Sequence, residues 1–399
     1  MKILLLHNFY QQRGGEDVVV ERERRLMADA GHEIITYFRS NSELLPGLTG
    51  RAAAARRLLW SRDVKREISQ LLLREKPDVA HVHNTFLMIS PSVFLACRKA
   101  NVPVVHTLHN YRLLCPGGNL LRDGKVCREC ITGSLLSSVA HGCYRGSRSM
   151  TAAVATGVAF HRTRGTWTRE VDRFLAPSEF VRKVYVSAGL PSHLIAVKPH
   201  FVYDPGPNEK VGEYAIYVGR LSPEKGVRTL INAWRRASLR IPLVVVGDGP
   251  LRPELEAEAP ACVTFLGALP SEQTIAVMKR ARFLIFPSEC FETFGIAIAE
   301  AFACSVPAVC SRLGAMEEMV EDGQTGLQFA PGDTADLAAK VSWAWANSRE
   351  MARMGAEARR TYEARYSPAR NRYLLESVYY RAIEERHGVE RPLPLSEAA

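Results

Sequence analysis

FPSECFETFGIAIAEA, residues 286–301, reads as the end of a buried strand, a turn, and a helix that begins near Phe294. Two carboxylates frame it, Glu292 before the helix and Glu300 within it, eight positions apart. At about 1.5 Å of rise per residue, eight helical residues span roughly 12 Å. That is close to the separation of ribose and far sugar in a nucleotide-sugar. Between the acids, the amides around Phe294, Gly295 and Ile296 lie at a helix N-terminus, where unpaired N–H groups and the helix dipole favour phosphate. Gly295 lets a ligand approach the backbone. The same residues have a plainer reading, in which Glu292 is a first-turn acid favoured by the dipole and Glu300 a solvated helix position. A diphosphate beside two acids needs cations from elsewhere in the chain.

YVGRLSPEKG, residues 217–226, supplies them. A strand ends here, and Arg220 and Lys225 follow in the loop before a helix over 227–238. Arginine offers a planar fork and lysine a point charge, a pair that suits a diphosphate. Their alternative role is in salt bridges with Glu224 or other acids. PLVVVGDGP follows as the next strand and turn. Its GDGPLR matches two glycines of G-x-G-x-x-G but places Arg252 where the third belongs, so the dinucleotide fingerprint fails and a dehydrogenase loses its main support. VTFLGALP, 263–270, is a further short strand and loop.

FETFGIAIAEA, preceded in order by GRLSPEKG and VVVGDGP, resembles the retaining glycosyltransferases of family four, and the likeness covers most of the chain. It implies the GT-B fold: two Rossmann-like, doubly wound α/β domains facing across a cleft. It also implies transfer of a hexosyl group from a nucleotide-diphosphate sugar to a hydroxyl, with retention, in polysaccharide or glycolipid synthesis. On that resemblance Arg220, Lys225 and the amides of Phe294, Gly295 and Ile296 hold the diphosphate and Glu300 the ribose. Glu292 orients the transferred sugar and His109 contacts it. Residues 263–270 lie by the base. The leaving phosphate helps take the acceptor proton, so no protein nucleophile is expected. No D-x-D pair stands at a strand end, and no catalytic metal is expected. An epimerase or phosphorylase of the same fold fits the motif order less well. The residues leave open whether the donor is UDP- or GDP-linked.

The first half repeats the strand–loop–helix pattern. Residues 2–6 form a strand, and HNFYQQRGGED leads to a helix over 16–30 closed by Gly31. Gly14 and Gly15 lie at that helix start, where turn chemistry is their alternative role. The family resemblance places this loop near donor phosphate and acceptor, Gly15 on the donor side and Gly14 on the acceptor side. EIITYF, 33–38, is the second strand. Residues 51–74 read as one amphipathic helix with Trp60, Val64, Ile68 and Leu71 as its apolar stripe. Arg56, Arg57, Arg62, Lys65 and Arg66 are interspersed, as a solvated basic face or as a membrane-surface face. DVAHVHN and VPVVHTLHN are two strands whose ends, His83-Asn84 and His109-Asn110, point into a polar ligand crevice. His83 and Asn110 are expected on its acceptor side.

Residues 111–149 interrupt the alternation. Cys115, Cys127, Cys130 and Cys143 place one C-x2-C pair between single cysteines, a spacing that suits a structural tetrahedral zinc site, with His141 as an alternative ligand. Buried or incidental thiols are the other reading. Ser178 is an N-cap candidate, and the proline-rich 200–210 is the expected linker. The domains are then 1–203 on the acceptor side, with the cysteine-rich insertion, and 204–366 on the donor side. A last helix over 367–386 returns to the first domain. The tail 391–399 is expected to be loose.

The 399 residues suit two domains, with 47% hydrophobic and 24% charged side chains for full cores. Only four apolar residues follow Lys2, too few for a secretory leader, and a cytoplasmic protein is expected. The net charge of +10 is uneven: 29 Lys/Arg against 16 Asp/Glu give +13 over 1–200, and 23 against 26 give −3 over 201–399. A basic first half fits an anionic partner, such as a lipid-linked acceptor or the inner membrane face. A nucleic-acid binder would be the reading from another class. It lacks a recognition motif, and the charge is spread along the chain.

Overall fold

The computed structural model describes residues 1–11, 14–44, 47–208, 212–236 and 239–388. The tail 391–399 lies outside them. The chain divides into two compact units. The first comprises Met1–Leu120, Cys127–Pro199 and the segment from Asn371; the second comprises Leu121–Val126 and His200–Arg370.

Each unit holds a six-stranded parallel sheet. In the first, the strands are β1 (Lys2–Phe9), β2 (Glu33–Ser40), β3 (Val79–Val82) and β4 (Val104–Thr107). After a two-stranded antiparallel hairpin of β5 (Leu121–Arg122) and β6 (Lys125–Val126) come β7 (Arg173–Ala176) and β8 (Ile195–Val197). The sheet order is β2-β1-β3-β4-β7-β8. The second unit holds β9 (Tyr214–Val218), β10 (Leu243–Val246), β11 (Val263–Gly267), β12 (Ala281–Phe286), β13 (Ala308–Ser311) and β14 (Gly326–Phe329). Their order is β11-β10-β9-β12-β13-β14.

Short apolar runs such as LVVV in β10 are almost wholly buried because helices cover both faces of a parallel sheet. In both sheets the strand order reverses at the first strand, β1 or β9. Ligands of such sheets bind beyond the carboxyl ends of the strands at that reversal. The residues after β1, β3 and β4, and after β9 and β12, therefore occupy the informative positions.

The expected single helix over 51–74 is two, Gly47–Leu59 and Arg62–Glu75. Ser61 causes the break: its hydroxyl caps Val64 N at 3.3 Å, while its own amide donates to Ser90 Oγ at 3.2 Å. Val64, Ile68 and Leu72 are buried, and Leu71 is only half-buried, so the apolar stripe is re-phased in the second helix. Helix Val227–Arg236 covers part of the expected 227–238; residues 237 and 238 are not described.

His200–Tyr203 packs with the second unit. Val202 N donates to Tyr366 O at 3.1 Å, and Tyr362 OH donates to Val202 O at 3.0 Å. The last helix, Pro368–His387, contributes most of its length to the first unit. It is tied there by Asn371 Nδ2 to Pro199 O at 2.6 Å, Glu376 to His32 at 2.9 Å, and Arg386 to Asp172 at 2.6 Å.

Candidate active site

The second unit builds its site from two loops. β9 hands the chain to 219–226, and β12 hands it to 287–295. Gly226 lies in the left-handed region at φ 66°, and a Cβ there would meet Pro287 O at 1.8 Å. Only glycine permits this approach. It sets Lys225 Nζ 2.6 Å from Glu292 Oε1, which also accepts from Ser288 Oγ at 2.7 Å. Burial is the largest single effect and lowers the Lys225 ammonium; the Glu292 charge and hydrogen bond, with Cys290 and Glu224, together outweigh it and hold Lys225 above its ordinary value.

Arg220 is more open, with 57% of its side chain exposed. It donates to Glu224 at 2.7 Å and to Ser222 Oγ at 3.2 Å. Glu224 also accepts from Ser222 Oγ at 2.7 Å, and these partners keep its carboxyl below the usual range despite burial. The salt-bridge role weighed for both cations is thus realised. It does not exclude an anion: an exposed pair is worth about 0–1 kcal/mol, so Arg220 can exchange Glu224 for a phosphate at little cost.

The helix behind these loops spans Ile296–Ala303 with Gly295 as its cap, just past Phe294. Phe294 is drawn into the core, its ring edge-on to His200 at 5.2 Å and Tyr366 at 5.6 Å. Only Ile296 to Glu300 is helical, about 6 Å of rise, so the all-helical 12 Å span does not apply. The Gly295 amide donates to Met319 Sδ at 3.3 Å, which leaves Ile296 and the next residues as the first-turn donors. A Cβ on Gly295 would meet Ile298 Cδ1 at 2.8 Å, so packing also requires this glycine. Glu300 is 9% exposed, which removes the solvated-glutamate reading.

In the first unit, His83 follows β3 and His109 follows β4. His83 Nδ1 lies 2.8 Å from His109 Nε2, with the rings stacked at 5.1 Å. His83 is 2% exposed, beneath the half-buried His109. Its side chain is placed to support His109 more than to meet a ligand. Asn84 and Asn110 both turn to Glu16, donating to Oε1 at 2.8 Å and to Oε2 at 3.3 Å. Gly15 is the first residue of helix Gly15–Asp29 and Gly14 is its cap. The Gly14 amide donates to Asp17 Oδ2 at 2.8 Å, and Asp17 Oδ1 lies 2.7 Å from His7 Nε2. Nothing lies within 4 Å of a Cβ built on Gly14, so no protein contact needs its small size. Beside these strand ends is a cavity of about 80 Å³ opening to solvent, lined among others by Leu58, Phe86, His109, Asn110, Arg112 and Val158.

Two family models match this chain: Glycosyltransferase Family 4 over residues 13–203 and Glycosyl transferases group 1 over 212–347. A D-rhamnosyltransferase of Pseudomonas aeruginosa is 32% identical over 165 residues, which cover 40% of this chain and 42% of that one. Glycogen synthase of Mycobacterium tuberculosis is 30% identical over 274 residues, covering 67% of this chain and 59% of that one. The chain thus spans about two-fifths to three-fifths of these relatives' length. Among solved structures, HepE of Anabaena in complex with UDP superposes with a TM-score of 0.67 at 18% identity, covering 95% of this chain and 99% of that one. The chain belongs to the family-four glycosyltransferases of GT-B fold.

Sequence reasoning overlooked one group in the first unit. Glu16 is half-buried, and burial with the nearby Asp17 pushes its carboxyl up to about 8, against the hydrogen bonds from Asn110 and Asn84 and the Arg112 charge. The signal was in GGED, where the acid directly follows the two glycines; its partners come from residues 68 and 94 positions away.

The four cysteines of 111–149 are free thiols, Cys115 and Cys130 buried and Cys127 and Cys143 half-buried. Burial, then the neighbouring Cys115, Cys143 and Cys127, push the Cys130 thiol up to about 11. Among the described residues, the potential metal-ligand groups whose atoms lie within 4.8 Å of one another are Glu23–His81–His83 and His7–Glu16–Asp17; the cysteine set is not one of them. Among the described residues no helix is long and apolar enough to cross a membrane.

Proposed function

We propose that this protein transfers a hexosyl group from a nucleotide-diphosphate sugar to a hydroxyl acceptor, with retention. The observation that carries this is the convergence of Arg220, Lys225, Glu292 and the Ile296 helix start at the strand-order reversal of the second sheet. Arg220, Lys225 and the helix amides stabilise charge on the departing diphosphate, the kind of electrostatic effect that dominates such reactions. Glu300 binds ribose hydroxyls, and Glu292 and His109 orient the transferred sugar. The two named relatives use sugar donors, and the fold neighbour was solved with UDP. The donor nucleotide here is UDP or GDP.

The test is a nucleotide-sugar panel read by binding and slow hydrolysis, with Arg220→Ala beside the wild type. One donor should bind and hydrolyse, and Arg220→Ala should weaken that binding about tenfold without loss of stability. Absence of binding by any nucleotide-sugar would refute the reading.

A lipid-linked saccharide acceptor at an anionic membrane surface is the acceptor reading that the basic first half supports. It fails if vesicles containing anionic lipid do not retain the protein at low salt. The insertion is proposed to bind one structural zinc through Cys115, Cys127, Cys130 and Cys143. The thiol donor set suits that ion, and the charges of Cys115, Cys143 and Cys127 bear on Cys130, although the sulfurs must draw closer to coordinate. Metal analysis of reductively purified protein should find about one zinc per chain; none overturns it.

A further inference from the structure

Below His109 lies a buried polar cluster that the donor chemistry does not use. Glu23 of helix Gly15–Asp29 is 1% exposed and pairs with Lys198, also 1% exposed. Lys198 Nζ reaches Asn371 Oδ1 of the last helix at 3.4 Å. Among the described residues, the other oxygen of Glu23, Oε2, has no hydrogen-bond partner, and neither does Nε2 of His83. These two unpartnered atoms face each other at 3.8 Å. On its far side, His83 presents Nδ1 to His109 Nε2 at 2.8 Å. His81 packs tilted against His83 with ring centroids 4.1 Å apart, and is itself fixed by Tyr379 OH at 2.6 Å and Thr107 Oγ1 at 2.8 Å.

A carboxylate facing one ring nitrogen favours the tautomer that carries its proton there. Glu23 therefore favours the Nε2–H form of His83, whose Nδ1 can then only accept. A neutral His109 then donates from Nε2 and keeps its lone pair on Nδ1. We propose that Glu23 and His83 are positioning residues that hold His109 in the Nε2–H tautomer, so that it accepts a hydrogen bond from a hydroxyl of the transferred sugar. The sugar contact rests on the transferase reading above; the tautomer does not.

Lys198 has two effects in this arrangement. Its ammonium compensates the Glu23 charge in a buried place. Burial first, and Lys198 among the neighbouring charges, hold His81 and His83 well below the ordinary histidine value, so both are neutral. The groups facing His83 are thus Glu23, Lys198, His81, His7 and His109. The rival reading is a divalent cation on Glu23, His81 and His83, whose ligand atoms lie within 4.8 Å of one another. A lysine ammonium bound to one of the three opposes a second cation there.

The experiment is long-range ¹H–¹⁵N NMR of the histidines in the full chain, with His109 assigned through His109→Asn. Wild type should show His109 protonated at Nε2 alone. His83→Phe removes the acceptor and should give His109 a mixture of tautomers. Glu23→Gln should loosen the preference of His83 itself. Because Glu23→Gln leaves Lys198 buried without its partner, Glu23→Gln/Lys198→Met is the variant to use if the single one does not fold. With the donor found by the panel, His83→Phe should lower kcat on the order of 10²-fold with donor binding unchanged, less than the about 10⁴-fold lost when a buried carboxylate that orients a catalytic histidine is neutralised. His109 protonated at Nδ1 in wild type, or unmoved by His83→Phe, overturns the proposal. So does selective broadening of His81 and His83 by added Mn²⁺, which would show a cation site. A wild type with the stated tautomer but no transfer with any donor sinks the transferase reading and leaves the tautomer assignment standing.

Discussion

Lys225→Ala is expected to lower the transfer rate by about 10²–10³-fold, the usual loss when one preorganised donor to a developing negative charge is removed. The nucleotide-sugar should still bind through Arg220 and the helix amides. The protein should also lose stability, by about 3–5 kcal/mol, because the substitution leaves a charge uncompensated where Glu292 is only 13% exposed. These two losses have different origins and can be separated. In Lys225→Ala/Glu292→Gln the orphaned carboxylate becomes a neutral amide that can still meet Ser288 Oγ, so thermal stability should largely return. Transfer should not return, because the cation is still absent and the Glu292 carboxylate no longer orients the sugar. Recovery of both together would mean that Lys225 serves only to neutralise Glu292. Loss of neither in the single variant would mean that the pair is ornamental. The contrast with Arg220 follows from exposure: 57% of its side chain is exposed against 25% for Lys225, and Glu224 keeps its bond from Ser222 Oγ, so removal of Arg220 is not expected to affect folding.

The legible parts of this fold were those written in short range. Buried strands such as LVVV, the glycine and histidine-asparagine endings, and the cap at Ser178 all depend on neighbours within a few positions. Ser178 caps Val181 N at 3.2 Å. What was not legible depends on partners far along the chain. Ser61 breaks the expected 51–74 helix in concert with Ser90, and Phe294 leaves the helical register because His200 and Tyr366 provide a core for it. Helix Arg148–Arg164 has too weak a stripe to announce itself amid the cysteine-rich residues. The candidate site divides the same way. Arg220, Lys225 and Glu292 were readable from motif order, and the Lys225–Glu292 pair was not. Glu16 and Glu23 acquire their roles only when strands from residues 79–110 and the Lys198 segment arrive beside them.

Mild acid should unfold the first unit before the second. His81, His83, His106 and His161 all belong to the first unit, and all are buried. Burial holds each below the ordinary histidine value, His106 to about 3 and His161 to about 4. A histidine depressed in the folded state contributes stability that is complete above 6.5 and is lost as pH falls toward its folded value. Four such groups together give a slope of up to about 5 kcal/mol per pH unit below pH 6. Glu16 works the other way: its carboxyl is raised to about 8, so its contribution is present below 4.5 and lost as pH rises through 8. One carboxyl offsets at most about 1.4 kcal/mol per pH unit, and does so mainly above pH 4.5, so the histidines prevail. Against a domain stability of about 5–15 kcal/mol, the first unit should open between about pH 4 and 5. Hydrogen exchange of the full chain over pH 7 to 4 reads this directly. Amides of β3 and β4 should lose protection while those of β9 and β12 keep it. Simultaneous loss in both sheets, or a dependence of less than one proton, would show that these histidines are not kept neutral by the fold.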